Sequence, residues 1–163
     1  EGNVDWVINA AGFIDTNTDF STQTEEAIET TFRVNTLSTI YLTQHFLPLI
    51  RGGFIYLSST AGLKANPEYP VYSASKAAVN SFSEAMSRRY PDRTFIAVCP
   101  GPTNTSMRER LAGDAKTKQE PAVVAALIVA LVKKTPPYAT GDVISIRNGA
   151  VEIVSHHKST SIF

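Results

Sequence analysis

Apolar residues along the chain fall into short runs and helical stripes that alternate with each other. The apolar run from Val4 to Asn9 ends in Ala-Ala-Gly, which predicts a buried strand followed by a tight loop. Further apolar runs predict strands at 54–57, 94–99 and 141–146. Helical spacing predicts helices at 25–50, 72–90, 107–111 and 122–134. Gly52-Gly53 is predicted to end the first helix, and Arg147-Asn148-Gly149 to form a turn after the last strand.

Strands that alternate with helices favour parallel pairing through crossover connections. The sequence therefore predicts an α/β fold, a three-layer parallel sheet with helices on both faces. No repeat, low-complexity tract or shift in composition marks a linker. We expect one domain over residues 1–155 and a short polar tail over 156–163.

Composition and charge exclude several classes of protein. The chain has 163 residues, of which 43% are hydrophobic, so it can bury a core. Fifteen basic residues balance fifteen acidic ones with no basic run, which argues against a nucleic-acid partner. The longest apolar run, Pro121 to Val132, is shorter than the ~20 residues of a membrane span. A single cysteine, Cys99, fits a reducing compartment, and we expect a cytoplasmic protein.

Residues that follow the strands are candidates for chemistry, because ligands of open parallel sheets bind at the carboxyl ends of the strands. Tyr72 and Lys76 are four residues apart and so share one helical face. A nearby ammonium group is expected to lower the phenol pKa from ~10 towards neutral pH, where proton transfer is efficient. Ser59 follows a strand and could bind the same substrate oxygen. Together the three groups suit carbonyl reduction or alcohol oxidation.

Simpler interpretations stand beside this one. A Tyr and a Lys four apart occur by chance in many helices, so the pair gains meaning only with the other motifs. Asn9 and Asn35 could equally satisfy backbone groups. Cys99 is interpreted as a core residue, and His156-His157 as part of a solvated tail, so no metal site is expected.

The ordered set of motifs resembles the short-chain dehydrogenase/reductase family, from Asp5 to about Gly149. Residues 5–12 are similar to the family's Asp-x-x-Val-Asn-Asn-Ala-Gly, with Ala10 in place of the second Asn. The resemblance implies a Rossmann-like fold containing the family's fourth to seventh strands. It also implies the catalytic residues Ser59, Tyr72, Lys76 and Asn35.

By the same resemblance the cofactor is NAD or NADP. Residues 100–105 are similar to the family's Pro-Gly-x-Val/Ile-x-Thr, and the segment after them would cover the substrate. The implied cofactor-binding residues are Asn9, Ala10, Gly12, Tyr72, Lys76, Pro100, Gly101, Thr103 and Thr105.

One family motif is missing. None of the nine glycines begins a Gly-x-x-x-Gly-x-Gly or Gly-x-Gly-x-x-Gly turn, which would hold the cofactor pyrophosphate. The likeness begins at the family's fourth strand, so the first three strand–helix units are unmatched, together with the residue that selects NAD or NADP. We therefore expect the C-terminal part of a longer protein, with little activity as an isolated chain.

The favoured hypothesis is an NAD(P)-dependent oxidoreductase that acts on a small carbonyl compound or secondary alcohol. The alternative is a non-catalytic binding or assembly module that retains the fold without the cofactor. A nucleotide-sugar epimerase or dehydratase ranks last, because little chain follows the Pro-Gly motif for a sugar-binding extension. The apolar helix at 121–132 argues for a subunit contact, and the long helix at 25–50 could offer another. The family resemblance implies that these contacts build a homodimer or homotetramer.

Overall fold

The structure is a computed structural model that describes residues 4–113, 117–133 and 137–155. The predicted tail at 156–163 and the predicted helix end at Lys134 lie outside these residues. Strands occupy β1 (Val4–Asn9), β2 (Ile50–Leu57), β3 (Thr94–Pro100), β4 (Val143–Arg147) and β5 (Ala150–Ser155). Helices occupy α1 (Glu25–Phe32), α2 (Ser38–Phe46), α3 (Pro70–Arg89), α4 (Ser106–Ala112) and α5 (Pro121–Val132). Short 3-10 turns lie at Phe20–Thr22 and Thr60–Gly62.

The described strands form one sheet in the order β1-β2-β3-β4-β5. The first four strands pair in parallel, which confirms the predicted α/β fold. The fifth strand was not predicted, and it pairs antiparallel to β4. Asn148 and Gly149 have φ angles of 49° and 82° and form a tight turn between the two strands. The turn reverses the chain, so that β5 runs back alongside β4.

Side chains of the strands alternate between two faces, and helices cover both. On one face Ile55, Ile96 and Ile144 pack with three residues of α5, namely Val124, Leu127 and Leu131. On the other face Phe54, Tyr56 and Phe95 pack with residues of α2 and α3, among them Phe46, Val79, Phe82 and Met86. The prediction of a three-layer arrangement is thereby confirmed.

The prediction that Gly52-Gly53 ends a helix is wrong. Helix α2 ends at Phe46, and both glycines lie inside β2. A Cβ atom on Gly53 would overlap the carbonyl oxygen of Thr94, and one on Gly52 would overlap that of Asp5. Because glycine has no side chain, it allows this close approach of β2 to both neighbouring strands.

The long helix predicted from residue 25 is interrupted. A π-helical segment at Arg33–Leu37 joins α1 to α2 and contains Asn35. Such wide turns within α-helices are frequent at functional sites. Among the described residues no helix is both long and apolar enough to cross a bilayer.

Candidate active site

Asn35 holds the loop that follows β1. Its Oδ1 accepts a hydrogen bond of 2.7 Å from the backbone N–H of Phe13, and its Nδ2 donates one of 2.8 Å to the Phe13 carbonyl. The same Nδ2 donates to Ser75 Oγ at 2.9 Å. The buried Asn35 side chain thus ties the β1 loop to α3.

Asn9 stabilises the same loop from the other side. Its Nδ2 donates to Thr39 Oγ1 at 2.9 Å, and its Oδ1 accepts from the N–H of Ala11 at 3.1 Å. The side chains of both asparagines therefore form hydrogen bonds with groups of the fold itself. These contacts agree with the simpler interpretation of Asn9 and Asn35. Neither asparagine lines the cavity that opens at the carboxyl ends of the parallel strands.

Ser59 lies directly after β2, at the carboxyl edge of the sheet. Its backbone is extended, and its Oγ accepts a hydrogen bond of 3.1 Å from the N–H of Ala61. The preceding Ser58 is buried and donates from its Oγ to the Lys76 carbonyl at 3.0 Å. The Ser58 hydroxyl is thus already bonded to the backbone of α3. The hydroxyl of the half-buried Ser59 lies beside Tyr72.

Helix α3 carries Tyr72 and Lys76 on one face. The Lys76 side chain is 3% exposed, and its Nζ donates to the Leu57 carbonyl at 2.9 Å. This Nζ lies 5.8 Å from the centroid of the Tyr72 ring. The end of β2 therefore fixes the ammonium group, and two of its three N–H donors remain for other groups.

Burial dominates the proton affinities at this site. It lowers the pKa of Lys76 to about 8, because the charged ammonium loses its hydration. It also raises the pKa of Tyr72, and a hydrogen bond with the Ser59 side chain only partly opposes this. The prediction that Lys76 lowers the Tyr72 pKa is therefore wrong for this structure. At neutral pH Tyr72 is protonated, as a proton donor must be.

A cavity of about 520 Å³ opens at the carboxyl ends of the parallel strands. This volume lies within the range of small-molecule sites. The cavity brings together most of the predicted site residues: Ala10, Gly12, Ser59, Tyr72, Lys76, Pro100, Gly101, Thr103 and Thr105. Residues from four separate segments thus converge on one space.

Part of the cavity wall was not predicted. Helix α5 contributes Val124, Ala125 and Ile128, and the loop before α3 contributes Asn66 and Tyr69. The apolar character of α5 on all sides was interpreted as a subunit contact. In the structure one part of this apolar surface packs on the sheet and another part lines the cavity. The apolar residues on all sides of α5 were therefore the sequence signal for this part of the cavity wall.

Side chains of the Pro-Gly segment are already engaged. Thr103 Oγ1 donates to the Gly101 carbonyl at 2.9 Å and accepts from Gln119 Nε2 at 2.8 Å. Thr105 caps α4, and its Oγ1 accepts from the N–H of Arg108 at 3.3 Å. These bonds fix the loop that leads from β3 into α4.

The donors of the cavity fit one half of a nicotinamide cofactor. The free N–H groups of Lys76 and the hydroxyl of Tyr72 can bind ribose hydroxyls, and the volume accommodates a ring and its sugar. The sequence has no Gly-rich turn for the pyrophosphate. The donors of this cavity therefore match the nicotinamide and its ribose, which form one half of the cofactor.

Cys99 lies behind the site and is fully buried. Its Sγ donates to Asn80 Oδ1 at 3.4 Å, and burial raises the pKa of the thiol to about 11. A protonated, enclosed thiol is a poor nucleophile, in agreement with its interpretation as a core residue. Within the ranges that the structure describes, no group of three or more His, Cys, Asp or Glu side chains could hold a metal ion. His156 and His157 lie outside those ranges.

Comparison with known proteins places the chain in a family. The family model for short chain dehydrogenases matches residues 1–116. The chain therefore belongs to the short chain dehydrogenase family.

Individual relatives agree with this assignment. An uncharacterised oxidoreductase of Bacillus subtilis is 34% identical over 110 residues, which are 64% of this chain and 41% of the relative. A 3-oxoacyl-(acyl-carrier-protein) reductase of Thermotoga maritima is 29% identical over 166 residues, 92% of this chain and 67% of the relative. The match thus spans between 41% and 67% of the length of these two proteins.

A solved structure shows the same fold. Landomycin C-6 ketoreductase with bound NADP and rabelomycin superposes with a TM-score of 0.76 at 26% identity. The superposition covers 88% of this chain and 60% of the ketoreductase.

Proposed function

We propose that this chain is the catalytic part of an NAD(P)-dependent oxidoreductase that transfers hydride between nicotinamide and a carbonyl compound or secondary alcohol. One observation carries the proposal: Ser59, Tyr72 and Lys76 line the same cavity at the carboxyl edge of a parallel sheet. The relatives support it, since one is named a reductase and the ketoreductase structure contains NADP.

In this reaction Tyr72 is the acid. A nicotinamide cofactor bound in the cavity would supply the hydride for reduction of the carbonyl carbon. Tyr72 gives its hydroxyl proton to the carbonyl oxygen, and alcohol oxidation returns that proton. The raised pKa of Tyr72 supports this role, because the phenol keeps its proton at neutral pH until an alkoxide develops.

The other residues position the reactants. The Ser59 hydroxyl orients the substrate oxygen, and Lys76 binds the ribose beside Tyr72. Asn35 maintains the loop after β1 and connects the site to solvent through water, as the family resemblance implies. The proposed cofactor contacts are completed by residues that line the cavity, namely Ala10, Gly12, Pro100, Gly101, Thr103 and Thr105. Asn9 contributes by holding the loop that carries Ala10 and Gly12.

We also propose the organisation of the protein around this site. Residues 1–155 form one domain with the fourth to seventh strands of the family, and copies associate as a homodimer or homotetramer in the cytoplasm. Light scattering of the full-length protein measures the assembly. A mass equal to one chain would contradict it.

The test is Tyr72→Phe in the full-length protein, assayed with NADH and NADPH on a panel of small ketones and diketones. We expect loss of turnover with an unchanged circular dichroism spectrum, because only the phenol oxygen is removed. Tyr41→Phe is the matched control, since Tyr41 is 60% exposed on α2. Retained turnover in Tyr72→Phe would refute the proposal.

A second candidate is a binding or assembly module without catalysis. The side chains of Asn9 and Asn35 favour it, because both are engaged in hydrogen bonds within the fold and neither lines the cavity. Calorimetric titration of the full-length protein with NADPH and NADH separates the two functions. Sub-millimolar binding supports the enzyme, whereas absence of binding supports the module.

A further inference from the structure

The charged groups of the cavity wall are all of one sign. Lys76 and Arg108 line the cavity, and no carboxylate does so within the described part of the chain. The Lys76 ammonium is held by the Leu57 carbonyl. Arg108, on α4, therefore supplies the second positive charge of the wall.

Arg108 has an unused donor. Its side chain is half-buried, and its Nε is shielded from solvent without a hydrogen-bond partner. The ion pairs recorded among the described residues involve Arg33, Arg88 and Arg93, not Arg108. A buried donor without a partner costs free energy that a ligand acceptor would recover.

The surroundings of Arg108 indicate what kind of ligand fits. Apolar side chains of α4 and α5 line the same cavity: Met107, Leu111, Val124 and Ile128. A ligand there needs a short hydrocarbon part for these side chains and an anionic group for the guanidinium. A planar carboxylate matches the guanidinium fork with two parallel hydrogen bonds.

We propose that Arg108 selects substrates that carry a carboxylate, so that the preferred substrate is a small oxo acid or hydroxy acid. This inference rests on the proposed oxidoreductase function. The carboxylate pairs with the Arg108 guanidinium, and the carbonyl or hydroxyl group of the same molecule reaches Ser59 and Tyr72. Arg108 is thus a specificity-determining residue of the site.

Binding is measured without turnover, so that it is independent of hydride transfer. The full-length protein, labelled with ¹⁵N, is titrated with 4-oxopentanoate, with its neutral amide and with inorganic pyrophosphate. Shifts of the amide resonances of α4 report binding at the cavity. We expect the acid to bind about tenfold or more tightly than the amide, as for a charge-assisted hydrogen bond.

Variants assign the preference to one side chain. Arg108→Gln is expected to remove the preference for the acid, and Arg108→Lys to restore part of it through charge alone. Arg110→Gln is the matched control, because Arg110 is exposed on the same helix and does not line the cavity. Thermal unfolding of each variant verifies that it is folded.

The outcomes separate this inference from the proposed function. Equal binding of acid and amide overturns the inference, as does a preference that survives Arg108→Gln. Binding of pyrophosphate alone also overturns it, because the anion would then belong to the cofactor. A preference for the acid that depends on Arg108 supports it even if the protein never turns over a ketone, a result that would refute only the proposed reaction.

Discussion

The side-chain amide of Asn35 donates a 2.9 Å hydrogen bond to the hydroxyl of Ser75, forty residues further along the chain. Ser75 in turn donates to the Tyr72 carbonyl at 2.7 Å. The π-helical segment and the first turns of α3 are thereby held in one register. The bond joins the loop after β1 to the helix that carries the proposed acid.

Ser75→Ala tests the contribution of this bond. Ser75 is fully buried, so the change leaves a buried amide hydrogen of Asn35 without its acceptor. We expect the free energy of unfolding in urea to fall by about 1–3 kcal/mol. Ser81→Ala is the control, because Ser81 is exposed on the same helix and the change should alter stability by less than about 0.5 kcal/mol. Equal stability of the two variants would show that the bond contributes little.

Lys76 gives stability a distinct dependence on pH. Its folded-state pKa is about 8, below the ordinary value of 10.5, so between these values the unfolded chain binds more protons than the folded one. Stability from this group therefore rises as pH increases from about 8 to 10.5, and the penalty for burying the charge is fully present below pH 8.

The measurement compares the wild type with Lys76→Met in urea at a series of pH values. The difference in unfolding free energy should shift in favour of the wild type by up to about 3 kcal/mol across that window. Taking the difference cancels the titration of the other lysines and tyrosines. A difference that stays constant with pH would mean that Lys76 keeps its ordinary pKa.

Gly53→Ala should disrupt the pairing of β2 with β3. The added Cβ would overlap the Thr94 carbonyl oxygen, and β2 cannot move away because β1 holds its other edge. We expect a loss of about 2–3 kcal/mol in unfolding free energy, in the upper part of the usual range for overpacked cores.

Gly12→Ala is the contrasting variant for stability. A Cβ there would meet Met107 Cε at 3.4 Å and Lys76 Nζ at 3.8 Å, which are ordinary contacts. Its stability should change by less than about 1 kcal/mol. If Gly53→Ala were equally mild, β2 would have room that the structure does not show.

The turn between β4 and β5 depends on its second residue. Gly149 has a φ of 82°, and nothing lies within 4 Å of a Cβ built on it, so the cost of Gly149→Ala is backbone strain alone. We expect a loss of about 1–2 kcal/mol in thermal or urea unfolding. Asn148→Gly should be tolerated within about 0.5 kcal/mol, since glycine also adopts positive φ at that position. A tolerated Gly149→Ala would argue against this turn geometry.

Much of the fold was predictable because local patterns and tertiary packing agree. The apolar run of β3 is a buried strand, and the spacing of Val79, Phe82 and Met86 predicts the face of α3 that packs on the sheet. The prediction of a buried strand at 4–9 is correct for the strand but wrong for its burial, because β1 is the first strand of the described sheet and Ile8 is 46% exposed. The predicted end of the first long helix was wrong because a glycine pair in a sequence is compatible with more than one structure. Gly52 and Gly53 break helices in general, yet here they allow close contact between strands.

The fifth strand was missed although a signal was present. Asn-Gly between two short apolar alternations is a strong hairpin signal. The turn at residues 147–149 was predicted and the domain was expected to continue to residue 155, but no strand was assigned to the residues after the turn.

The candidate site was predictable in its residue types but not in its electrostatics. Sequence spacing placed Tyr72 and Lys76 on one face, and the structure agrees. The direction of the Tyr72 pKa depends on how deeply the phenol is buried, which results from side chains far apart in the sequence. Arg108 could not be predicted for the same reason. That its Nε is buried without a hydrogen-bond partner depends on how α4 packs beside the cavity, which the sequence does not show.

The antiparallel return of β5 determines where the polypeptide leaves the sheet. Ser155 pairs with Val143, at the amino end of β4, whereas the cavity opens at the carboxyl ends of the parallel strands. An affinity tag or fluorophore attached to a cysteine in place of Val154, which is 46% exposed, would lie towards the rim remote from Ser59 and Tyr72. Immobilisation through that position should therefore leave the entrance accessible for ligand screening.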